Sequence, residues 1–468
     1  MQLAGTTVIA VNTKGRRRMK VKNKLIIPAL VTSAILLLAG NLLLTAWHYM
    51  AVNRITGTGY VVPNQVMEMA ITVGLFAVPA WFLFSRCSGK VLFCISLAVF
   101  AAAMAGEMIS PKLYEIKGWI DLGFTYVYVP PFVYLGFFCL SSLMCFGRKE
   151  GRISTLLAAS VLMLAALIVN SEVYPNNAGL ITLSLTFLPM LLCVFLKDKD
   201  DRKTMAGLLI VVLAFTIVTF LLQHGTALTD RLSVFLSQGK SDPYGKGWYY
   251  SKLIETMKSA RLIGASPAVI PAADGTAVPA YLFFAWRNPY EYALAIIILR
   301  FGWLAGIILP LACAALASSL FRLSKRADDV YAGSYAFSVA SYFSVKLFLN
   351  LMSCFVAYLD RAELPLGGNR YQTAVDVVLL VSVIAFMRKT QGKKPVVAEK
   401  ETEIPMTMKG QIDMENSNEL EDMCRLASEI FDECLKIMLE TGCDFSEANK
   451  AYAERHPEKY EKIHRTFH

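Results

Sequence analysis

The sequence predicts an all-α polytopic membrane protein of about ten transmembrane helices, with a large external loop between helices seven and eight and a small helical cytoplasmic tail. Three observations predict it. Of 468 residues, 55% are hydrophobic and only 18% charged, for a mean hydropathy of +0.48, more apolar content than one soluble core requires. The apolar residues come in blocks long enough to cross hydrocarbon as helices, the only open-chain form that satisfies its own backbone there. Basic residues are concentrated in alternate loops, as cytoplasmic retention of Lys and Arg dictates.

The ten blocks lie at about 25–46, 66–85, 91–107, 124–146, 154–171, 178–196, 205–223, 291–319, 332–358 and 373–387. Before the first stands a basic tail, 1–24, carrying Lys14, Arg16, Arg17, Arg18, Lys20, Lys22 and Lys24. The first block is too long for a signal-peptide core and has no small-residue cleavage site, so it reads as an uncleaved helix. Cytoplasmic loops then carry Arg86 and Lys90, Arg148 to Arg152, Lys197 to Lys203, and Arg322 to Arg326. Two intervening loops are nearly free of cations, with Arg54 alone after Ala51 and none around Glu172 to Ala178, while the 224–290 loop holds seven basic residues, which a long loop carries across regardless of charge. This alternation predicts a membrane domain, 25–390, with both termini in the cytoplasm and the 224–290 loop outside. Ten cysteines fall in or beside helices or in the tail, so no disulfide framework is expected, and no spacing suggests a metal site.

From residue 395 to the end there are nine Lys/Arg against seventeen Asp/Glu, which leaves 37 against 19 for everything before it. The tail is therefore a separate acidic piece: a linker, 391–416, then a helical segment, 417–468. Leu420, Met423, Ala427, Ile430, Phe431, Cys434 and Met438 follow helical spacing up to Gly442. It reads either as a solvated helical hairpin or as a docking arm for a cytoplasmic partner. No nucleic-acid partner is expected.

Chemistry concentrates outside the membrane. Trp119-Ile120-Asp121-Leu122-Gly123 precedes Tyr128-Val129-Pro130-Pro131-Phe132, and on its own Trp119 reads as an interfacial anchor. The large loop holds Asp242-Pro243-Tyr244-Gly245-Lys246-Gly247-Trp248-Tyr249-Tyr250. Lys246, Lys252, Lys258 and Arg261 there alternate with Trp248 and Tyr249, a pattern that suits either a pyrophosphate with a sugar face or an amphipathic helix lying on the membrane. Glu291 opens the next apolar block. Glu68, Arg300, Lys346 and Asp376 are intramembrane charges, each costing about 3 kcal/mol near the bilayer centre on insertion scales, and so call for a partner or a task. An internal pair of Arg300 or Lys346 with Asp376 is expected, with a substrate or ion path as the alternative.

These runs resemble the FtsW/RodA/SpoVE (SEDS) family over about residues 25–390. WIDLG followed by a proline is similar to the family's "WI-x-LG … QPSE", DPYGKGWYY to "DP-x-G-x-GYQ", and EYALAIIILRFGWLAG to "DFIFAVIGEELGFLGA", in register through Gly302. Pro365-Leu366-Gly367-Gly368-Asn369-Arg370-Tyr371 resembles a worn "PLPFISYGG". The resemblance implies a peptidoglycan glycosyltransferase that polymerises lipid II, an undecaprenyl-linked disaccharide precursor, with a class B penicillin-binding transpeptidase as partner, in cell division, cell shape or sporulation. It implies Glu291 as the general base on the acceptor hydroxyl; together with the residue chemistry above, the candidate substrate contacts are Trp119, Lys246, Trp248, Tyr249, Lys252, Arg300, Asp376 and Tyr371, and the cofactor is unknown. The chain departs from the pattern in Glu for Asp at 291, in Phe132 and Leu135 where the family has an acid and a base, in Ile298-Leu299-Arg300 for "GEE", and in Asn176 for the Asp of "PDLG". A catalytically silent scaffold of a wall-synthesis complex and a lipid-linked precursor transporter stay open as alternatives.

Overall fold

The computed structural model describes residues 3–111, 118–123, 126–149, scattered positions between 158 and 187, Ser237, 246–271, 277–287, 289–355, 363–390 and His456. The expected fifth to seventh helices, the Asp242–Gly245 run and the acidic tail lie outside these residues apart from those scattered positions. The chain divides into two compact units, Met1–Lys394 and Pro395–His468, and the elements below all belong to the first.

In chain order these are α1 (Leu3–Thr56), α2 (Val62–Arg86), α3 (Gly89–Ile109), a hairpin of β1 (Trp119–Asp121) and β2 (Tyr126–Tyr128), a 3-10 turn over Pro130–Gly136, and α4 (Phe137–Lys149). Then follow α5 (Lys246–Lys258), a second hairpin of β3 (Val269–Pro271) and β4 (Ala277–Pro279), α6 (Ala280–Arg287), α7 (Ala293–Phe301), α8 (Trp303–Lys325), α9 (Val330–Phe355) and α10 (Arg370–Thr390). Both hairpins are antiparallel, with Ile120 opposite Val127 and Ile270 opposite Val278. Among the described residues five helices are long and apolar enough to cross a membrane: Ile26–Thr56 of α1, then α2, α3, α8 and α9.

Local chemistry sets the helix ends. Ser88 caps α3 by accepting from the Val91 amide, a proline begins α2, and Arg86, Arg322 with Lys325, and Arg388 with Lys389 close α2, α8 and α10, where a cation complements the helix dipole. Packing is layered around α9 and α10. α2 runs along α10, and α8 lies against both α9 and α1. Tyr335, Tyr342, Phe343 and Val339 of α9 are fully enclosed, whereas only Met69 and Ala80 of α2 are buried.

Three expectations are corrected. The first expected span, 25–46, corresponds to Ile26–Thr56 but ends ten residues later than expected, and the helix that carries it continues back to Leu3, with no proline before Pro28 to stop it. The fourth expected segment, 124–146, opens as strand and 3-10 turn: Pro130 and Pro131 have no amide hydrogen to donate to the backbone ladder of an α-helix. The eighth, 291–319, is two helices that part at Gly302, whose φ of 95° is unfavourable for a residue with a side chain. A Cβ there would come within 2.5 Å of the Leu262 carbonyl.

The break at Gly302 exposes no backbone. The Trp303 and Leu304 amides donate to the Arg261 and Leu262 carbonyls at 3.0 and 3.1 Å, and the Gly264 and Ser266 amides donate to the Phe301 and Leu299 carbonyls at 2.8 and 2.7 Å. The segment 261–266 thus supplies the partners that a continuous helix would find in itself. With 23 residues α8 alone reaches about 34 Å, enough to cross the hydrocarbon. α7 is left free to hold Glu291 at the α9 end that carries Asn350.

Candidate functional site

A cavity of about 370 Å³ lies where the Thr45–Tyr49 stretch of α1, the start of α2, β1 and the start of α10 meet. Its walls include Trp119, Tyr371 and Tyr49, hydroxyl groups of Thr45 and Tyr290, and the charged pair Glu68 and Arg370.

Each wall group is fixed by local structure. The Asn369 carboxamide oxygen caps α10 by accepting from the Tyr371 and Gln372 amides at 3.0 and 3.1 Å, which sets Arg370 and Tyr371 in the first turn. The Tyr371 hydroxyl donates to the Tyr126 carbonyl at 2.5 Å, which ties α10 to the β1–β2 hairpin. On that hairpin Trp119 stands across from Tyr128, with ring centroids 4.9 Å apart, so its indole belongs to the cavity wall. Arg370 stacks 4.9 Å over the Tyr371 ring while its Nη1 reaches Glu68 Oε2 at 3.0 Å. Tyr290 approaches Thr45 at 3.4 Å, and burial pushes its phenol up to about 12, so it enters the cavity protonated and able to donate.

Glu291 follows Tyr290 directly but does not line this cavity. It is 3% exposed, in the turn before α7, with its backbone carbonyl accepting from Asn350 Nδ2 at 3.2 Å and Cys354 Sγ at 3.7 Å. The structure therefore gathers Trp119 and Tyr371 around the cavity and sets Glu291 one residue behind its wall.

The other sequence candidates fall elsewhere. Asp376 is fully buried, and its carboxylate accepts from Lys346 Nζ at 2.7 Å, the Tyr342 hydroxyl at 2.7 Å, the Leu366 amide at 2.8 Å and Gln372 Nε2 at 3.1 Å. Of the two partners considered for Asp376 it takes Lys346; Arg300 instead lies 5.2 Å over the Tyr281 ring. Lys252 pairs with Glu255 at 2.7 Å and lines a separate recess of about 280 Å³ against β3. Trp248 and Tyr249 pack on Phe283, each at 6.0 Å. Lys246 begins α5, and its side chain lies outside the described residues.

Sequence reasoning missed Arg370 and Tyr290 as site residues and placed Glu68 only among intramembrane charges. Their signal is a cation at a helix start and a tyrosine beside the proposed base, both too common to single out. It also missed Glu107, a buried carboxyl near the end of α3 whose two oxygens make no hydrogen bond among the described residues.

No protein-family model matches the chain, and no curated protein matches it. Solved structures do. The Rod shape determining protein RodA of Thermus thermophilus superposes with a TM-score of 0.50 at 14% identity, over 77% of this chain and 96% of that one, and a point mutant of it gives the same score and identity over 76% and 97%. A structure described as the structural coordination of polymerization and crosslinking by a peptidoglycan synthase complex superposes at 0.52 and 16% identity, over 76% and 97%. At such identities the likeness establishes the fold.

Proposed function

We propose that this chain, a multi-pass membrane protein with a RodA-like, divergent SEDS fold, polymerises lipid II on the outer face of the bacterial cytoplasmic membrane. The observation that carries the reading is the cavity at the start of α10, where Trp119, Tyr371 and Arg370 converge beside Tyr290, the residue that precedes Glu291. Aromatic faces suit the apolar sides of sugar rings, a cation suits a phosphate, and a carboxylate behind the wall suits a sugar hydroxyl that must lose its proton.

In this reading Glu291 takes the proton from the acceptor hydroxyl as that oxygen bonds to the anomeric carbon of the donor sugar. The bond from that carbon to the polyprenyl pyrophosphate breaks, and the pyrophosphate leaves with the electron pair. A class B transpeptidase is the fitting partner, since one neighbouring structure concerns polymerization joined to crosslinking in one complex. The acidic tail is then a docking arm in the cytoplasm.

One observation favours a second reading, a silent scaffold of the same machinery. Glu291 is 3% exposed and off the cavity surface, and Phe132, where the family pattern has an acid, instead packs at 5.5 Å on Phe76 and 6.5 Å on Tyr371.

Incubation of the purified protein with fluorescent lipid II, with and without co-purifying partners, separates the two. Polymer should form, Glu291→Gln should lose about 100-fold or more of the rate, and Glu291→Asp should keep activity. A Gln variant that polymerises like the wild type would place catalysis elsewhere. Inactivity of every form, with Glu291→Gln still complementing a deletion, would establish the scaffold.

A further inference from the structure

The turn that follows α5 leaves two adjacent aliphatic side chains uncovered. Leu262 and Ile263 are 68% and 69% exposed, although their backbone belongs to the segment that joins the ends of α7 and α8. A turn so well bonded has no need of exposed aliphatic side chains for its own stability, and their placement suits a surface outside the chain.

We propose that the turn 261–264 is a membrane anchor: Leu262 and Ile263 enter the hydrocarbon edge of the leaflet at the start of α8, while Lys258 and Arg261 meet the phosphate groups of the surrounding phospholipids.

Hydrogen bonds set the depth of the turn. The Arg261 and Leu262 carbonyls accept from the amides of Trp303 and Leu304, the first two residues of α8, at 3.0 and 3.1 Å. With 23 residues α8 covers the roughly 30 Å of hydrocarbon, so its first turn lies at a membrane boundary, where a tryptophan such as Trp303 commonly sits. Arg322 and Lys325 close the other end of α8, which puts the turn at the boundary away from them, the outer one in the expected orientation.

The apolar surface is continuous there. Leu304, Ile307, Ile308 and Leu311 are exposed at helical spacing and form one stripe along α8, a helix apolar enough to cross a membrane. Leu262 is bonded to the first member of that stripe, and the Gly264 amide to the carbonyl of Phe301, which is itself 41% exposed. The turn therefore prolongs, at its upper end, the surface that α8 offers to hydrocarbon.

Charge favours lipid as the occupant. Lys258 and Arg261 are exposed and form no ion pair among the described residues, and no Asp or Glu occurs from residue 256 to 271. Two free cations beside two free aliphatic side chains match a headgroup layer above hydrocarbon. α5 itself is not the element that lies on the membrane: its Leu253 and Met257 are buried, and its Trp248 and Tyr249 pack on Phe283.

Photocrosslinking tests the anchor. The photoreactive residue p-benzoylphenylalanine is placed at 263 in the full-length protein, which is irradiated in a bacterial membrane, and the tryptic peptide 262–287 is read by mass spectrometry. The same residue at 255, on the exposed side of α5, is the control. Phospholipid adducts at 263 should exceed those at 255 about tenfold or more, as a side chain in the acyl boundary differs from one in water. In nanodiscs of phosphatidylglycerol, Lys258→Glu with Arg261→Glu should lower the yield at 263 about threefold or more.

Adducts at 263 chiefly to another polypeptide would overturn the proposal in favour of a protein docking face, and lipid adducts no more frequent at 263 than at 255 would overturn it outright. An unchanged yield in the charge-reversed variant would overturn the headgroup assignment. Nothing in the anchor depends on polymerisation, so its failure leaves the catalytic reading standing, and a protein that crosslinks as described yet makes no polymer would sink the catalytic reading alone.

Discussion

Asp376→Asn is the most demanding perturbation of the membrane core. The carboxylate takes four donors, two on each oxygen, and neutralises Lys346, whose side chain is 6% exposed. Asparagine keeps one acceptor oxygen, turns an NH₂ toward two of the donors and leaves the ammonium buried without a counter-charge. Breaking a buried pair in this way costs about 3–5 kcal/mol, a large share of the roughly 5–15 kcal/mol that holds a protein folded. Lys346→Met should cost less, about 2 kcal/mol, because Asp376 would keep Tyr342, Gln372 and the Leu366 amide as charge-stabilising donors. Combining the two removes both charges, so the double variant should be less destabilised than Asp376→Asn alone, with a coupling of about 2 kcal/mol or more. Equilibrium unfolding of the four proteins in bicelles measures the cycle. Additivity of the two substitutions, or a Lys346→Met more damaging than Asp376→Asn, would refute the reasoning.

Gly302→Ala should destabilise the joint between α7 and α8 by more than about 2 kcal/mol, since the side chain meets both a positive φ and the Leu262 carbonyl. Faster proteolysis of the 261–266 segment would report it, and protection equal to wild type would show that the joint adapts. For orientation, a cysteine at Gly275 should react with an impermeant maleimide in intact cells and one at Ser417 should not, as the alternation of basic loops requires; the reverse pattern would invert the membrane domain.

The sequence by itself determined the membrane class, because blocks of apolar residues about 20 long have a single low-energy fate in lipid, and the spans of α2, α3 and α9 differ from the apolar blocks by no more than a few residues at each end. It also carried the resemblance whose fold the solved structures share. A buried partner for Asp376 was legible too, since an intramembrane carboxylate calls for a cation, but composition could not choose between Lys346 and Arg300.

Only the tertiary structure decided that choice, together with the break at Gly302 and the make-up of the cavity. A glycine inside an apolar block reads as helix until the Arg261–Ser266 backbone arrives from the loop to satisfy the broken ends. Arg370, Glu68, Trp119 and Tyr290 are far apart in the chain, and no periodicity links them. They meet because α2 packs along α10 and the β1–β2 hairpin is tied to the first turn of α10, contacts that form between elements and so leave no local mark in the sequence.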